Sequence, residues 1–475
     1  MSMHCGYCVE VENLRPHTNA DELQIATFFG CDTCVGIDIV KGEIGIYFPS
    51  DLQLSEEFCV VNHLCRKKPD GTPDIGYLDP DKRNIKPIKL RGEKSDGIFM
   101  SICCLEYTGV NLDDINIGDT ITVVNGHEIC KKYIPRGSNK NNAANRKGNR
   151  TRKTHTPVAP LFTEHADTEQ LMYNLGAFKP GDEIEITLKM HGTSQRTAYL
   201  PVLKGYRAIN RIYQYALDAM LSGKAIGPWT RKIAERALES ATPIYDWDYV
   251  SGTRRTVLDN WDGGFYGDNT FRKQHHDKFV GKLHKGEEIY YEVVSFTDDG
   301  TPIMGKGNNK KLGKDFVKQY GEETVFSYGC SPDGWRILAD GSREECPKSD
   351  IYVYRMTMTN EDGDVVEYSP DFMRYRCGQM GVKTVPVFWK GYIEASHYEF
   401  DAGEYVKDIA EQYYDGPDPI GKTHIREGVV VRIINRPKFC AYKYKNYSFK
   451  MLEGLIKESA AAPDMEEAEE VIEEV

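Results

Sequence analysis

The chain has 475 residues, 28% charged and 40% hydrophobic, an ordinary globular profile with room for two or three domains. No apolar run approaches a membrane span and no basic-then-apolar leader opens the chain, so a membrane partner is not expected. Thirteen cysteines without an export signal point to reduced thiols in a cytoplasmic setting, and the net charge of −12 hides an uneven distribution that keeps a nucleic-acid partner open.

Residues 1 to about 130 read as all-β. Short alternating runs such as Glu43 to Phe48 and Asp119 to Val124 are punctuated by Gly, Asn-Gly and Asp-Gly turns. The stretch from Pro16 to Ala26 resembles a loop-and-strand signature of small OB-type barrels, which bind nucleic acid across an open face. Cys5 and Cys8, with Cys31 and Cys34, have the Cys-x-x-Cys spacing of a four-thiolate zinc site, although cysteine also serves as a small core residue. From Lys131 to Lys153 the chain turns basic, with Lys131, Lys132, Arg136, Lys140, Arg146, Lys147, Arg150, Arg152 and Lys153 among Asn and Gly. That composition suits a linker, either a solvated tether or an arm that neutralises phosphates.

A second domain begins near Pro157. From Glu183 to Lys189, Ile184, Ile186 and Leu188 alternate with Glu185, Thr187 and Lys189, the pattern of a half-buried strand with the lysine at the end of its polar face. Gly192 then lets a phosphate or sugar approach the backbone, and Thr193 and Ser194 add hydroxyls. A lysine shielded from water among other cations loses its proton more readily and can attack a nucleotide α-phosphorus. A surface strand ending in a solvated lysine fits the same short pattern.

Helical patterns follow at Arg211 to Leu221 and Thr230 to Leu238. Val250 to Val257 reads as a loop entering a strand, with adjacent Arg254 and Arg255. Tyr290 to Phe296 is a strand with one carboxylate, Glu292, in an apolar run; 297–350 reads as an insertion; and Ile351 to Met356 is a strand with Tyr352 and Tyr354 on one face. Glu427 precedes the apolar run Val429 to Ile433, and Lys443 and Lys445 share a face of the strand after it. Beyond residue 455 the chain becomes an acidic tail.

Together and in this order, Lys189-Met190-His191-Gly192, Tyr291-Glu292, Glu427 to Arg432 and Lys443-Tyr444-Lys445 resemble the covalent nucleotidyltransferase superfamily of polynucleotide ligases and capping enzymes. His191-Gly192-Thr193, and Lys443 to Asn446 with Phe449 following, are most similar to the nick-sealing RNA ligases with an OB-like domain in front. Two positions depart from that pattern: Leu188 stands where a glutamate usually precedes the nucleophile, and Tyr291 where a glycine usually precedes the ribose-binding glutamate.

The resemblance implies an α+β protein, with an N-terminal OB-like β-barrel followed by an ATP-grasp-like nucleotidyltransferase domain of antiparallel sheets with flanking helices. The expected division is 1–135 for the OB-like nucleic-acid-binding domain, 136–156 for the basic linker, 157–455 for the adenylyltransferase domain and 456–475 for the tail. It implies ATP and Mg²⁺ or Mn²⁺ as cofactors, with Lys189 as nucleophile and Lys443 and Lys445 on the nucleotide phosphates. Glu427 is the expected metal site, Glu292 holds the ribose, and His191 and Gly192 line the nucleotide site. Tyr354, ahead of Tyr352, stacks on adenine, and Arg254 grips the nucleic acid. The expected partner is a nicked RNA duplex or RNA/DNA hybrid, bound by a monomer. A capping-type guanylyltransferase and a catalytically inactive nucleic-acid-binding protein are the competing readings.

Overall fold

The computed structural model describes residues 4–50, 52–133, 157–165, 168–222, 226–254, 257–258, 261, 269–338, 340–394 and 400–458. Near the N-terminus, Gly6–Glu10 and Ile44–Phe48 pair as the centre of a four-stranded antiparallel sheet, flanked by Thr120–Ile121 and Ile98–Ser101. Ile46 and Phe48 point into one apolar cluster with Phe58 and Leu105, while Tyr47 joins Val11, Phe28 and Phe99 on the other side. The central strand is therefore apolar on both faces, as its sequence run requires.

The stretch that resembles an OB signature forms the hairpin of Leu14–Pro16 and Leu23–Phe28, extended by Cys31–Gly36 into a three-stranded meander. The meander and the four-stranded sheet are separate ladders, and the described residues trace no closed barrel. Lys131 and Lys132, expected in an unstructured arm, instead lie in the strand Cys130–Lys132, paired with Leu52–Leu54. The rest of the basic segment, from Arg136 to Lys153, lies outside the described residues, as does the tail beyond Glu458.

The remaining described residues build two large sheets, with two small hairpins beside them. The first has five strands in the order Glu169–Gln170, Cys440–Lys445, Gly428–Ile433, Glu183–Lys189, Val387–Tyr392, all antiparallel except the first pair. Ile184, Ile186, Val429, Val431 and Ile433 bury one face of it beneath the helix Ala402–Glu411, through Val406, Ile409 and Ala410. The opposite face is not the solvated face that alternation suggested. Glu185 is buried there, and Arg374 of the helix Pro370–Met380 donates to both its oxygens at 3.1 and 2.8 Å.

In the second sheet, Thr242–Gly252, Thr193–Arg207, Glu287–Ser295, Ser349–Thr359 and Val365–Glu367 run antiparallel, with Lys383–Thr384 added in parallel. Thr193–Arg207 leads to the helix Arg211–Leu221, capped by Asn210, which accepts from the Tyr213 N–H. A second helix, Pro228–Ser240, opens with proline in its first turn. Arg254 follows the strand Thr242–Gly252, so this arginine leaves a strand where the sequence suggested that it enters one; Arg255 lies outside the described residues. The insertion 297–350 is ordered around the helix Lys314–Tyr320 and short hairpins, and it sends Phe326 and Tyr328 into the apolar cluster with Leu188 and Met190.

Candidate active site

Lys189 is the last residue of Glu183–Lys189, an interior strand of the first sheet, and Thr193 opens the longest strand of the second. The turn Met190-His191-Gly192 is thus the corner between the sheets. A Cβ on Gly192 would stand 2.5 Å from the Val293 carbonyl oxygen, so the two sheets meet here only because this residue has no side chain. The glycine serves strand packing here. Leu188, where the resemblance calls for a glutamate, is 1% exposed and packs with Met190, Val294 and Phe449. The His191 backbone N–H donates to the Tyr328 hydroxyl at 2.8 Å, which fixes the corner from the insertion side.

The register across three strands builds the charged centre. Lys189 lies opposite Gly428, and Gly428 lies opposite Lys445, so two lysines flank a residue without a side chain. Gly428 is required: its φ is +151°, and a Cβ would meet the Tyr444 carbonyl oxygen at 2.0 Å. Glu427 precedes it and is 2% exposed. Its Oε1 sits 2.8 Å from Lys189 Nζ and 3.3 Å from Lys445 Nζ, and its Oε2 is 3.5 Å from His191 Nδ1. Burial pushes this carboxyl up, but Lys189 and Lys445, with His191, outweigh it and hold the group well below the usual carboxylate range. Lys445 also donates to both Glu453 oxygens, at 2.9 and 3.2 Å. Lys443 lies two rows along, opposite Val430, which in turn faces Thr187.

The second sheet forms the other wall. Glu292 lies between Ser194 and Tyr352 in one row. Opposite Tyr290 and Tyr291 the partner strand skips Tyr354, a bulge that re-aims this side chain. Tyr352 is buried in the cluster under the corner, whereas Tyr354 is only partly buried, with its hydroxyl 3.4 Å from Ser194 Oγ. Tyr291 is fully buried with its hydroxyl 2.9 Å from Thr197 Oγ1, a core role that accounts for the departure from glycine. The Arg254 carbonyl accepts from the His165 N–H at 3.0 Å, and the His165 ring lies 6.0 Å from that of Tyr354.

Of the residues singled out in the sequence, Lys189, His191, Glu427 and Lys445 come together in one cluster. Glu292 and Tyr354 stand on the adjoining sheet, joined to it through Thr193 and Ser194. Three residues escaped sequence reading: Tyr328, Glu453 and Arg272. Arg272 is fully buried on the helix Thr270–Asp277 and donates to the Ser194 carbonyl at 3.0 Å and to Thr193 Oγ1 at 2.6 Å, bracing the strand beyond the corner. Tyr328 and Arg272 make their contacts from elements distant in sequence, Glu453 from the helix after the lysine strand, and no local motif marks any of them.

The zinc expectation fails. Among the described residues, no group of three or more His, Cys, Asp or Glu side chains could hold a metal ion. Residues three apart on a strand face opposite sides, and Cys31 and Cys34 both lie within Cys31–Gly36. Cys8 is spent in the apolar core with Ile46 and Phe48. Burial pushes all four thiols up, Cys31 to about 11. All thirteen cysteines are free.

Solved structures of Naegleria gruberi RNA ligase match nearly the whole chain. A mutant with AMP and Mn, at 12% identity, covers 94% of this chain and 98% of its own with a TM-score of 0.52. The ligase with PPi, at 13% identity, covers 94% and 97% with a TM-score of 0.52. A mutant with ATP and Mn, at 13% identity, covers 94% and 98% with a TM-score of 0.51. This chain has the fold of an RNA ligase. No family model and no curated protein matches its sequence. Likeness across so much of both chains at such low identity means that the ligase fold is kept while most side chains differ. No helix among the described residues is long and apolar enough to cross a membrane.

Proposed function

We propose that the protein is an ATP-dependent RNA ligase that joins 3′-OH and 5′-phosphate ends at breaks in duplex RNA or an RNA/DNA hybrid. The observation that carries this reading is the row Lys189, Gly428, Lys445 with Glu427 between the two ammonium groups, set at the corner of a ligase fold. Lys189 Nζ attacks the α-phosphorus of ATP; the N–P bond forms, pyrophosphate leaves, and the lysine proton passes to solvent. The AMP then transfers to a 5′-phosphate, and the 3′-OH attacks that activated phosphate and releases AMP. Such chemistry asks the protein mainly to position groups and neutralise charge. Lys445 and Lys443 serve the nucleotide phosphates, Glu292 the ribose, Tyr354 the adenine face, and Arg254 the nucleic acid.

The donor set at Glu427 suits a hydrated Mg²⁺ or Mn²⁺, which takes one or two carboxylates and otherwise water and phosphate oxygens. Glu427 is ionised, and among the described residues its Oε2 has only the long contact to His191. Glu427 would hold such a cation, which would supply charge neutralisation at the triphosphate. The proposed division is an OB-like nucleic-acid-binding unit in 1–135, a basic linker in 136–156, an adenylyltransferase unit in 157–455 and a tail in 456–475, working as a monomer on the break.

Labelled ATP and GTP, offered separately with Mg²⁺, test the first step. A lysyl–AMP formed only from ATP is expected; an adduct from GTP alone would point to a capping-type enzyme, and none at all to an inactive binding protein. Nicked duplexes with RNA or DNA on each side of the break then define the substrate, and sealing of RNA 3′-OH ends is the expected result.

A further inference from the structure

Lys445 has several rotatable bonds, and a phosphate-binding lysine is useful only if its ammonium is held where the phosphate arrives. Glu427 alone does not hold it, because that carboxylate is shared with Lys189 at a shorter distance. The second holder is Glu453, on the helix Tyr447–Glu458 that directly follows the lysine strand. Asn446 turns the chain between the two, accepting from the Phe449 N–H at 3.1 Å while its own backbone N–H donates to the Glu427 carbonyl at 2.8 Å.

The faces of this helix divide cleanly. Phe449 and Leu452 are fully buried toward the catalytic corner, with the Phe449 ring 4.7 Å from that of His191. Tyr447 and Lys450, one turn apart, meet the N-terminal region. The Tyr447 hydroxyl donates to the Ile88 carbonyl at 2.5 Å, and Lys450 Nζ lies 2.6 Å from Oδ2 of Asp96, whose side chain is 5% exposed. A small cavity between the two regions is lined by Tyr47, Asp96, Tyr173, Lys445 and Lys450, so the interface reaches the lysine itself.

We propose that Glu453 is a positioning residue for Lys445, and that Asp96 of the N-terminal region fixes the helix that carries it. The inference rests on Lys445 being a phosphate-binding lysine of the proposed ligase. Glu453 touches no reacting atom; it orients the ammonium before nucleotide arrives and leaves Glu427 free to change partners.

The test uses the full-length protein and calorimetric titration with an ATP analogue that has a methylene bridge between its α and β phosphates, in Mg²⁺. Glu453→Gln should weaken binding about tenfold, the size of one lost hydrogen bond to a charged group, and Glu453→Asp should recover most of that loss. In a Lys445→Ala background Glu453→Gln should weaken binding no further, since a residue that acts through Lys445 has nothing left to orient. Full-strength binding by Glu453→Gln, or a loss that simply adds to that of Lys445→Ala, would overturn the proposal. Asp96→Asn should weaken binding about threefold, less than loss of the direct contact; no change would remove the N-terminal region from the mechanism. If the unaltered protein neither binds the analogue nor forms lysyl–AMP from ATP, the ligase reading has failed. If it does both and Glu453→Gln matches it, only this inference has.

Discussion

Replacing Lys189 with alanine should do two things, and the second separates this site from a simple surface strand. Loss of lysyl–AMP is the first. The second is a loss of stability, because Lys189 is the nearest partner of a carboxylate whose side chain is 3% exposed. Removing one member of a buried pair costs about 3–5 kcal/mol when nothing compensates. Here Lys445 stays at 3.3 Å, so the expected cost is about 2 kcal/mol, the worth of one charge-assisted hydrogen bond. Glu427 also sets a pH signature. Its carboxyl is held below the ordinary range, so its contribution is present above the unfolded-state value and lost as pH falls through the folded one. Removing Lys189 raises that folded value, and the acid-labile limb of the stability curve should move toward neutral pH. The assay is urea denaturation of wild type, Lys189→Ala, Glu427→Gln and the double variant. The penalty of Lys189→Ala should shrink to within about 0.5 kcal/mol once Glu427 is uncharged. An unchanged penalty in the Glu427→Gln background, or an adduct still formed by Lys189→Ala, would refute the reasoning.

Gly192→Ala should keep the protein folded but lower the rate of lysyl–AMP formation by about a hundredfold, because displacing the corner by about 1 Å misplaces the nucleophile; single-turnover kinetics with ATP reads this. Arg374→Ala should cost about 3 kcal/mol of stability, measured by urea denaturation, since it strips a bidentate partner from the buried Glu185. His275 is pulled down to about 3 by burial, with Lys278 and Arg272 adding to it. Below a pH of about 6.5 the unfolded chain therefore holds a proton that the native state lacks, and stability should fall by ~1.4 kcal/mol per pH unit on acidification. His275→Gln should remove that slope from a denaturation series between pH 6 and about 4.

What the sequence determined by itself is the set of local elements and the order of the chemical groups along them. Alternation marked Glu183–Lys189 and Cys440–Lys445 as strands, and the helical period marked Arg211–Leu221, because each pattern is written within a few consecutive residues. It also marked Lys189, Glu427 and Lys445, since a charged group beside an apolar run is conspicuous in one dimension. Tertiary structure alone decided what those groups touch. The face of Glu185 and Lys189 looked solvated by alternation, yet Arg374, nearly two hundred positions away, covers it with an opposite charge. The Cys-x-x-Cys pairs looked like ligands by spacing, yet strand geometry turns Cys31 and Cys34 to opposite sides and the core absorbs Cys8. Tyr328, Arg272 and Glu453 left no local signal, because each reaches the corner from another element: the insertion, a separate helix, and the helix after the lysine strand. Strand register put Lys189 and Lys445 on either side of Gly428, and register is set by the packing of both sheets and by the absence of a side chain at two glycines. A site assembled across ladders is decided there, where residues distant in the chain are forced into one row.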